Sequence, residues 1–235
     1  MNQLGIIGGT AVKGEKIFEN CEGKILQNEF GKAYALFSER FIFIPRHGID
    51  PGAYILPHAI NHRANLKALK DSGIKEVIGI NSTGTLKLNL KPGTIVIPDD
   101  FIALYDTPTI FQNTATHITP RIDEDVRRKI IAAAHECDIS VVANGTYWQS
   151  KGPRFETKAE IRMMSGFADI VGMTMASEAV IAGELELPYA TICSVDNYGH
   201  GLTYKPLTMK EIIAGAHRNA HVVLKIINKY VERME

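Results

Sequence analysis

The chain has 235 residues, 45% of them hydrophobic and 22% charged, and its 26 basic and 26 acidic residues cancel to a formal net charge of +0. That is enough for one domain with a substantial core, and the even charge argues against nucleic acid or an anionic membrane surface as the main partner. Cys21, Cys137 and Cys193 are odd in number and show no CxxC spacing, the start MNQLGIIGGT has no basic region before a long apolar core, and no apolar run reaches membrane-span length, so neither a disulfide framework nor a signal peptide is expected and a reducing cytoplasm is.

Leu4–Ile7 predicts a short strand meeting Gly8-Gly9-Thr10, where backbone N–H groups can turn toward an anion; the same letters also spell a tight turn. Gly14–Phe37 reads as turns and short strands of a peripheral hairpin. Phe41–Ile44 is a second apolar strand running into Pro45-Arg46-His47-Gly48, and an Arg and a His at a strand exit can hold a dianion, the Arg as a planar fork. Asp50–Leu56 reads as a flexible loop. Pro57–Ser72 reads as a helix with Ile60, Ala64, Leu66, Ala68 and Leu69 inward, ended by Gly73. His58 and His62 stand four apart without an acidic ligand nearby, so they read as loop or surface histidines and no metal site is expected.

Val77–Ile80 predicts a third strand ending in Asn81-Ser82-Thr83-Gly84-Thr85, a run that suits a solvated loop or a cradle for phosphate and ribose. Pro92-Gly93 turns the chain into Thr94–Ile97. Tyr105–Thr119, Thr-rich and carrying His117, has the composition of a long excursion toward a substrate or a neighbouring subunit. Ile122–Cys137 is a charged amphipathic helix and Ser140–Ala143 the next strand. In Lys151–Glu160, KGPRFETKAE, the trio Arg154, Phe155 and Glu156 sets a ring face beside an acceptor-only carboxylate, which suits a purine that presents an N–H; it also reads as a plain loop and helix start.

Thr157–Ser165 continues as a helix, with Ile161 and Met164 inward. Asp169–Gly172 is a strand exit into Met173-Thr174, and Ala176–Leu187 a helix with Glu178 near its N-terminus. Tyr189–Cys193 is the last central strand, before Ser194-Val195-Asp196-Asn197-Tyr198-Gly199, and Thr208–Arg233 is one long amphipathic helix. No repeat, linker or composition break divides the chain, so residues 1–235 read as one α/β domain with a mixed or largely parallel sheet. Strand after strand ends in small polar or charged groups (GGT, PRHG, NSTG, GMT, VDNYG), and ligands of such sheets bind at the carboxyl ends of strands.

In this order and without large gaps, GIIGGT, PRHG, NSTGTL, LKPGTIVIPDDFI, GPRFETKAE, ADIVGMTMASEAVIA and VDNY resemble the trimeric purine nucleoside phosphorylase family, on its 5'-methylthioadenosine phosphorylase branch. The resemblance implies a single-domain, partly closed mixed β-sheet flanked by helices, and phosphorolysis of a purine nucleoside by orthophosphate. It implies a homotrimer or a hexamer of two trimers, with no metal or organic cofactor. By motif, Thr10, Arg46, His47, Ser82 and Thr174 would bind phosphate, Met173 would lie under the ribose, and Phe155 would stack on the base. His117 would come from the neighbouring subunit toward the 5' end, and Asn197, Glu156 and His47 stand as the catalytic candidates.

Two features depart from the branch. Methylthioadenosine phosphorylases carry an Asp where this chain has Asn197 and lack a Glu after the stacking Phe; the pair Glu156 and Asn197 is that of 6-oxopurine phosphorylases. Hypoxanthine and guanine carry a hydrogen on N1 that a carboxylate can accept, whereas N1 of adenine is itself an acceptor. Asn197 can donate to O6 and accept from N7–H. At the 5' side, Met209 falls where inosine and guanosine phosphorylases place a His, with Ile212 a turn on. An apolar, sulfur-tolerant pocket suits a methylthio group, and both residues would equally serve as helix core. The expected substrate is S-methyl-5'-thioinosine. Methylthioadenosine, inosine or guanosine are the alternatives; a nucleosidase would leave Arg46, Thr10 and Thr174 without an anion, and a non-catalytic nucleoside sensor stays open on fold alone.

Overall fold

The computed structural model describes residues 3–9, 12, 16–104 and 107–234. Within them β5 (Val77–Thr85) is the hub of a single mixed sheet of eleven strands. On one side β5 pairs in parallel with β1 (Leu4–Gly8), which pairs in parallel with β4 (Phe41–Pro45). Every residue of β1 and β4 is buried, as parallel strands covered on both faces require, and the sequences LGIIG and FIFIP meet that demand. Beyond β4 the hairpin of β2 (Glu22–Asn28) and β3 (Gly31–Phe37) carries the sheet out to solvent.

On its other side β5 pairs in parallel with β11 (Tyr189–Tyr198), which continues to β6 (Ile95–Val96) and β8 (Val141–Val142). At Gly84 and Thr85 a further strand, β10 (Ile170–Gly172), joins antiparallel and leads to β9 (Thr146–Gln149) and β7 (Asp100–Ile102). The sheet therefore forks at the carboxyl end of β5.

Among the described residues five α-helices flank it: α1 (His62–Asp71), α2 (Glu124–Glu136), α3 (Lys158–Met164), α4 (Met175–Glu184) and α5 (Met209–Glu232). Asn61, Asp123, Thr157 and Thr208 each accept a backbone N–H of the helix they precede, and Thr157 with Glu160 completes a capping box. α5 lies directly on β11. At Gly215 a Cβ would run into the backbone oxygen of Asp196, so only glycine lets the helix come this close. No helix among the described residues is long and apolar enough to cross a membrane.

Several boundaries differ from the sequence reading. The helix expected from Pro57 begins at His62, because the Asn61 side chain accepts from Ala64 N at 3.0 Å and sets a new start after a 3-10 turn at Pro57–Ala59. β5 does not stop at Ile80, nor β11 at Cys193. The two strands pair along their whole polar ends, and Thr83 Oγ1 donates to Ser194 O at 2.8 Å, so the hydroxyls work inside the sheet. β7 and β9 are two further short strands that the sequence reading does not include. His62 is buried, contrary to its surface reading, while His58 is exposed as expected.

Candidate active site

The polar strand ends line a cavity of about 410 Å³. Arg46, His47, Ser82, Phe155, Glu156, Met173, Thr174, Asn197, Met209 and Ile212 all border it, although they come from six separate parts of the chain. Thr10 lies outside the described residues. His117 is exposed and does not border this cavity; its segment is tied back to α4, where Glu184 accepts from Thr109 Oγ1 and Ile110 N, both at 2.7 Å.

At the end expected to hold an anion, Arg46 corrects the fork reading. Its Nε donates to Glu178 Oε1 at 2.7 Å and its Nη2 to Glu178 Oε2 at 3.3 Å and Ile7 O at 3.0 Å, while Nη1 donates to Ile80 O at 2.8 Å. The planar fork is spent on the protein. Glu178 is wholly buried; burial pushes its carboxyl up, and the guanidinium beside it pulls it back. His47 Nδ1 lies 2.7 Å from Ile55 O, and a carbonyl only accepts, so Nδ1 carries the proton and Nε2 is left as an acceptor. The ring stacks on Tyr54 at 4.6 Å. Thr174 Oγ1 donates to Asn81 Oδ1 at 2.7 Å, and Asn81 Nδ2 donates to Thr191 Oγ1 at 2.8 Å. The N–H groups of Thr174, which precedes α4, and of Met175, its first residue, turn to the Tyr147 hydroxyl, at 3.2 and 3.4 Å.

At the other end, Gly152 (φ +66°) brings the loop so near Met173 that a Cβ would lie 2.7 Å from its Sδ. The next residues divide. Arg154 turns outward to Glu160, at 2.7 Å, and stays out of the cavity, while Phe155 and Glu156 line it. Glu156 is buried, its Oε1 accepts from Ser150 Oγ, and Oε2 takes no hydrogen bond from the described residues. In β11 a bulge between Val195 and Asn197 breaks the strict alternation. Asp196 turns to Asn219, which donates to it at 2.7 Å, and Asn197 borders the cavity with Nδ2 donating to Tyr198 O at 2.9 Å. Gly84 leaves room for that amide: a Cβ there would sit 3.0 Å from Nδ2.

The α5 side of the cavity carries Leu207, Met209, Ile212, Ile213 and Ala216, an apolar wall, with His217 beside them. The sequence reading does not single out His217, and it names Glu178 only as a helix-start residue and Asn81 only as part of the Asn81–Thr85 run. The first had a helical-face signal, at i+8 from Met209; the other two act through partners far away in the chain.

His62 offers a test of these electrostatics. Burial, with Arg46 and His47 nearby, lowers its pKa to about 3, and burial with Arg46 lowers that of His47 to about 4, against 6.5 for an ordinary histidine. Both folded values lie below the unfolded one. Their contribution to stability is therefore complete above the unfolded value and is lost as pH falls through it toward about 4 and about 3. Replacing His62 by Asn is expected to flatten the fall of the urea midpoint between about pH 7 and about pH 5; equal slopes in wild type and variant would contradict the assignment.

Comparison with known proteins identifies the family and the fold. Residues 3–232 match the model of the phosphorylase superfamily. A protein of Archaeoglobus fulgidus named "Probable 6-oxopurine nucleoside phosphorylase" is 39% identical, over 98% of this chain and 96% of its own. One of Methanocaldococcus jannaschii named "Probable S-methyl-5'-thioinosine phosphorylase" is 33% identical (97% and 91%), and the S-methyl-5'-thioadenosine phosphorylase of Hyperthermus butylicus is 36% identical (98% and 88%). The methylthioadenosine phosphorylase of Schistosoma mansoni in complex with adenine shares the fold, with a TM-score of 0.88 at 24% identity, over 100% of this chain and 92% of that one.

Proposed function

We propose that this chain, which belongs to the phosphorylase superfamily, is a purine nucleoside phosphorylase acting on S-methyl-5'-thioinosine, yielding hypoxanthine and 5-methylthioribose 1-phosphate. Its relatives carry 6-oxopurine and 6-aminopurine names at similar identity, so the names leave the base open and the cavity must decide. One observation carries the choice: the buried Glu156 carboxylate on the cavity wall, with an oxygen that takes no hydrogen bond from the described residues. It needs an N–H, which N1 of a 6-oxopurine supplies and N1 of adenine does not. Asn197 then meets the six-position oxygen and N7, and Phe155 the ring face. The apolar α5 wall receives the methylthio group. His217 on that wall favours, as second reading, a nucleoside with a free 5'-hydroxyl.

The chemistry follows from placement. As the glycosidic bond lengthens, positive charge grows on the ribose above Met173. Phosphate held by Arg46, His47 and Ser82, and by Thr174 once its hydroxyl turns from Asn81 to the anion, stabilises that charge and attacks C1', while Asn197 meets the negative charge leaving on the purine. Phosphate is the co-substrate, and no cofactor enters. Nε2 of His47, an acceptor here, suits a P–O–H of hydrogenphosphate. The open rim, with Met209 55% and Phe155 38% exposed, leaves room for a second subunit to close the cavity, as a homotrimer or a hexamer built from it would, with His117 serving a neighbouring subunit's cavity.

The test is phosphate-dependent kcat/KM for methylthioinosine, methylthioadenosine, inosine and guanosine side by side. Methylthioinosine is expected to win. Preference for methylthioadenosine would sink the base assignment, preference for inosine the five-prime one, and no turnover of any would point to a nucleoside sensor.

A further inference from the structure

We propose that Glu178 and Tyr189 are positioning residues for phosphate: acting through the Arg46 guanidinium, they fix which single N–H the incoming anion meets. The inference rests on the reading that Arg46 faces phosphate. Arg46 is 3% exposed, and a guanidinium has five N–H groups. Glu178, Ile7 O and Ile80 O engage Nε once, Nη2 twice and Nη1 once, so four of them are committed to the protein. The fifth is on Nη1, the atom nearest the cavity wall at Gly9, 3.5 Å from where a Cβ would stand. Arg46 therefore meets an anion end-on, and three protein acceptors set the direction of that one hydrogen.

Behind Arg46 the support is itself fixed. Glu178 stands in the first turn of α4, and its Oε2 accepts the Tyr189 hydroxyl at 2.7 Å. Tyr189 opens β11 and is buried, and burial raises its pKa well above the ordinary value, so the hydroxyl stays a donor. On β5 alongside, a Cβ at Gly79 would run into the Tyr189 hydroxyl and lie 3.0 Å from Glu178 Oε2. Four elements thus converge on one carboxylate that never reaches the cavity. A buried ion pair is a poor source of stability compared with apolar side chains of the same volume. What this pair supplies is orientation.

Steady-state kinetics of Glu178→Gln and Tyr189→Phe, with phosphate and methylthioinosine varied separately, test the proposal. Gln offers one acceptor where Glu offers two, and its NH₂ would face the Nη2–H of Arg46, so the guanidinium must turn. The phosphate KM is expected to rise about tenfold in Glu178→Gln and about threefold in Tyr189→Phe, with the nucleoside KM within about twofold of wild type. A folded Glu178→Gln with an unmoved phosphate KM, or with both KM values rising together, overturns the proposal. If Glu178→Gln does not fold, Tyr189→Phe decides by the same split. A wild-type rate independent of phosphate would overturn the proposed function and this inference together, whereas phosphate dependence with unmoved variants overturns the inference alone.

Discussion

Glu156→Gln is expected to lower the preference for methylthioinosine over methylthioadenosine by about two orders of magnitude, because it replaces an acceptor-only group with one that can also donate. In the wild type a 6-oxopurine gives N1–H to the carboxylate. Adenine would instead face it with a lone pair, leaving a buried charge unmatched, and a site built around a hydrogen bond rejects the wrong partner by up to about 10⁴–10⁵. A glutamine can turn its NH₂ to adenine N1, so the rejected substrate gains while the accepted one loses a charge-assisted bond of about 1.5–3 kcal/mol. Ser150 sharpens the reading. Its hydroxyl occupies Oε1 and leaves Oε2 for the ligand, so Ser150→Ala should weaken both substrates alike. The measurement is kcat/KM for the two nucleosides at saturating phosphate. An unchanged ratio in Glu156→Gln would remove Glu156 from base recognition.

What the sequence shows and hides here has a physical basis. The strand-end motifs are legible because a carboxyl-terminal sheet rim gathers whatever follows each strand, and PRHG, NSTG, GMT and VDNYG each follow an apolar run. Glu156 is legible because an acceptor-only residue beside a ring face is a chemical statement made by neighbours in the chain. Arg46 and Glu178 are a different case. They stand 132 residues apart, and nothing in either local pattern says that the fork expected for phosphate is already filled. The same distance problem hides the tie from Thr174 through Asn81 to Thr191. Near Asn197 the obstacle is register: alternation alone would not tell which of Asp196 and Asn197 faces the ligand, since a one-residue bulge resets the faces. The hydroxyl-rich NSTGT reads as loop because its side chains can bond locally, yet in place they bond across to β11 and extend the strand.

Arg46→Ala should show two losses with separate causes. Phosphate would lose the directed Nη1 hydrogen, and its KM should rise by about a hundredfold, the worth of a charge-assisted hydrogen bond at the strong end of its range. Stability should also fall, by about 3–5 kcal/mol, because Glu178 would be left buried without its cation. These two effects can be taken apart. In the double variant Arg46→Met with Glu178→Leu, both charges are gone, and an apolar pair of similar size can be neutral or better than a buried ion pair. The urea midpoint should then recover toward wild type while the phosphate KM stays high. Recovery of stability without recovery of phosphate affinity would show that the pair is kept in place for the anion. If phosphate affinity returned with stability, Arg46 would be only a structural support, and the anion would have to be held by His47, Ser82 and Thr174 alone.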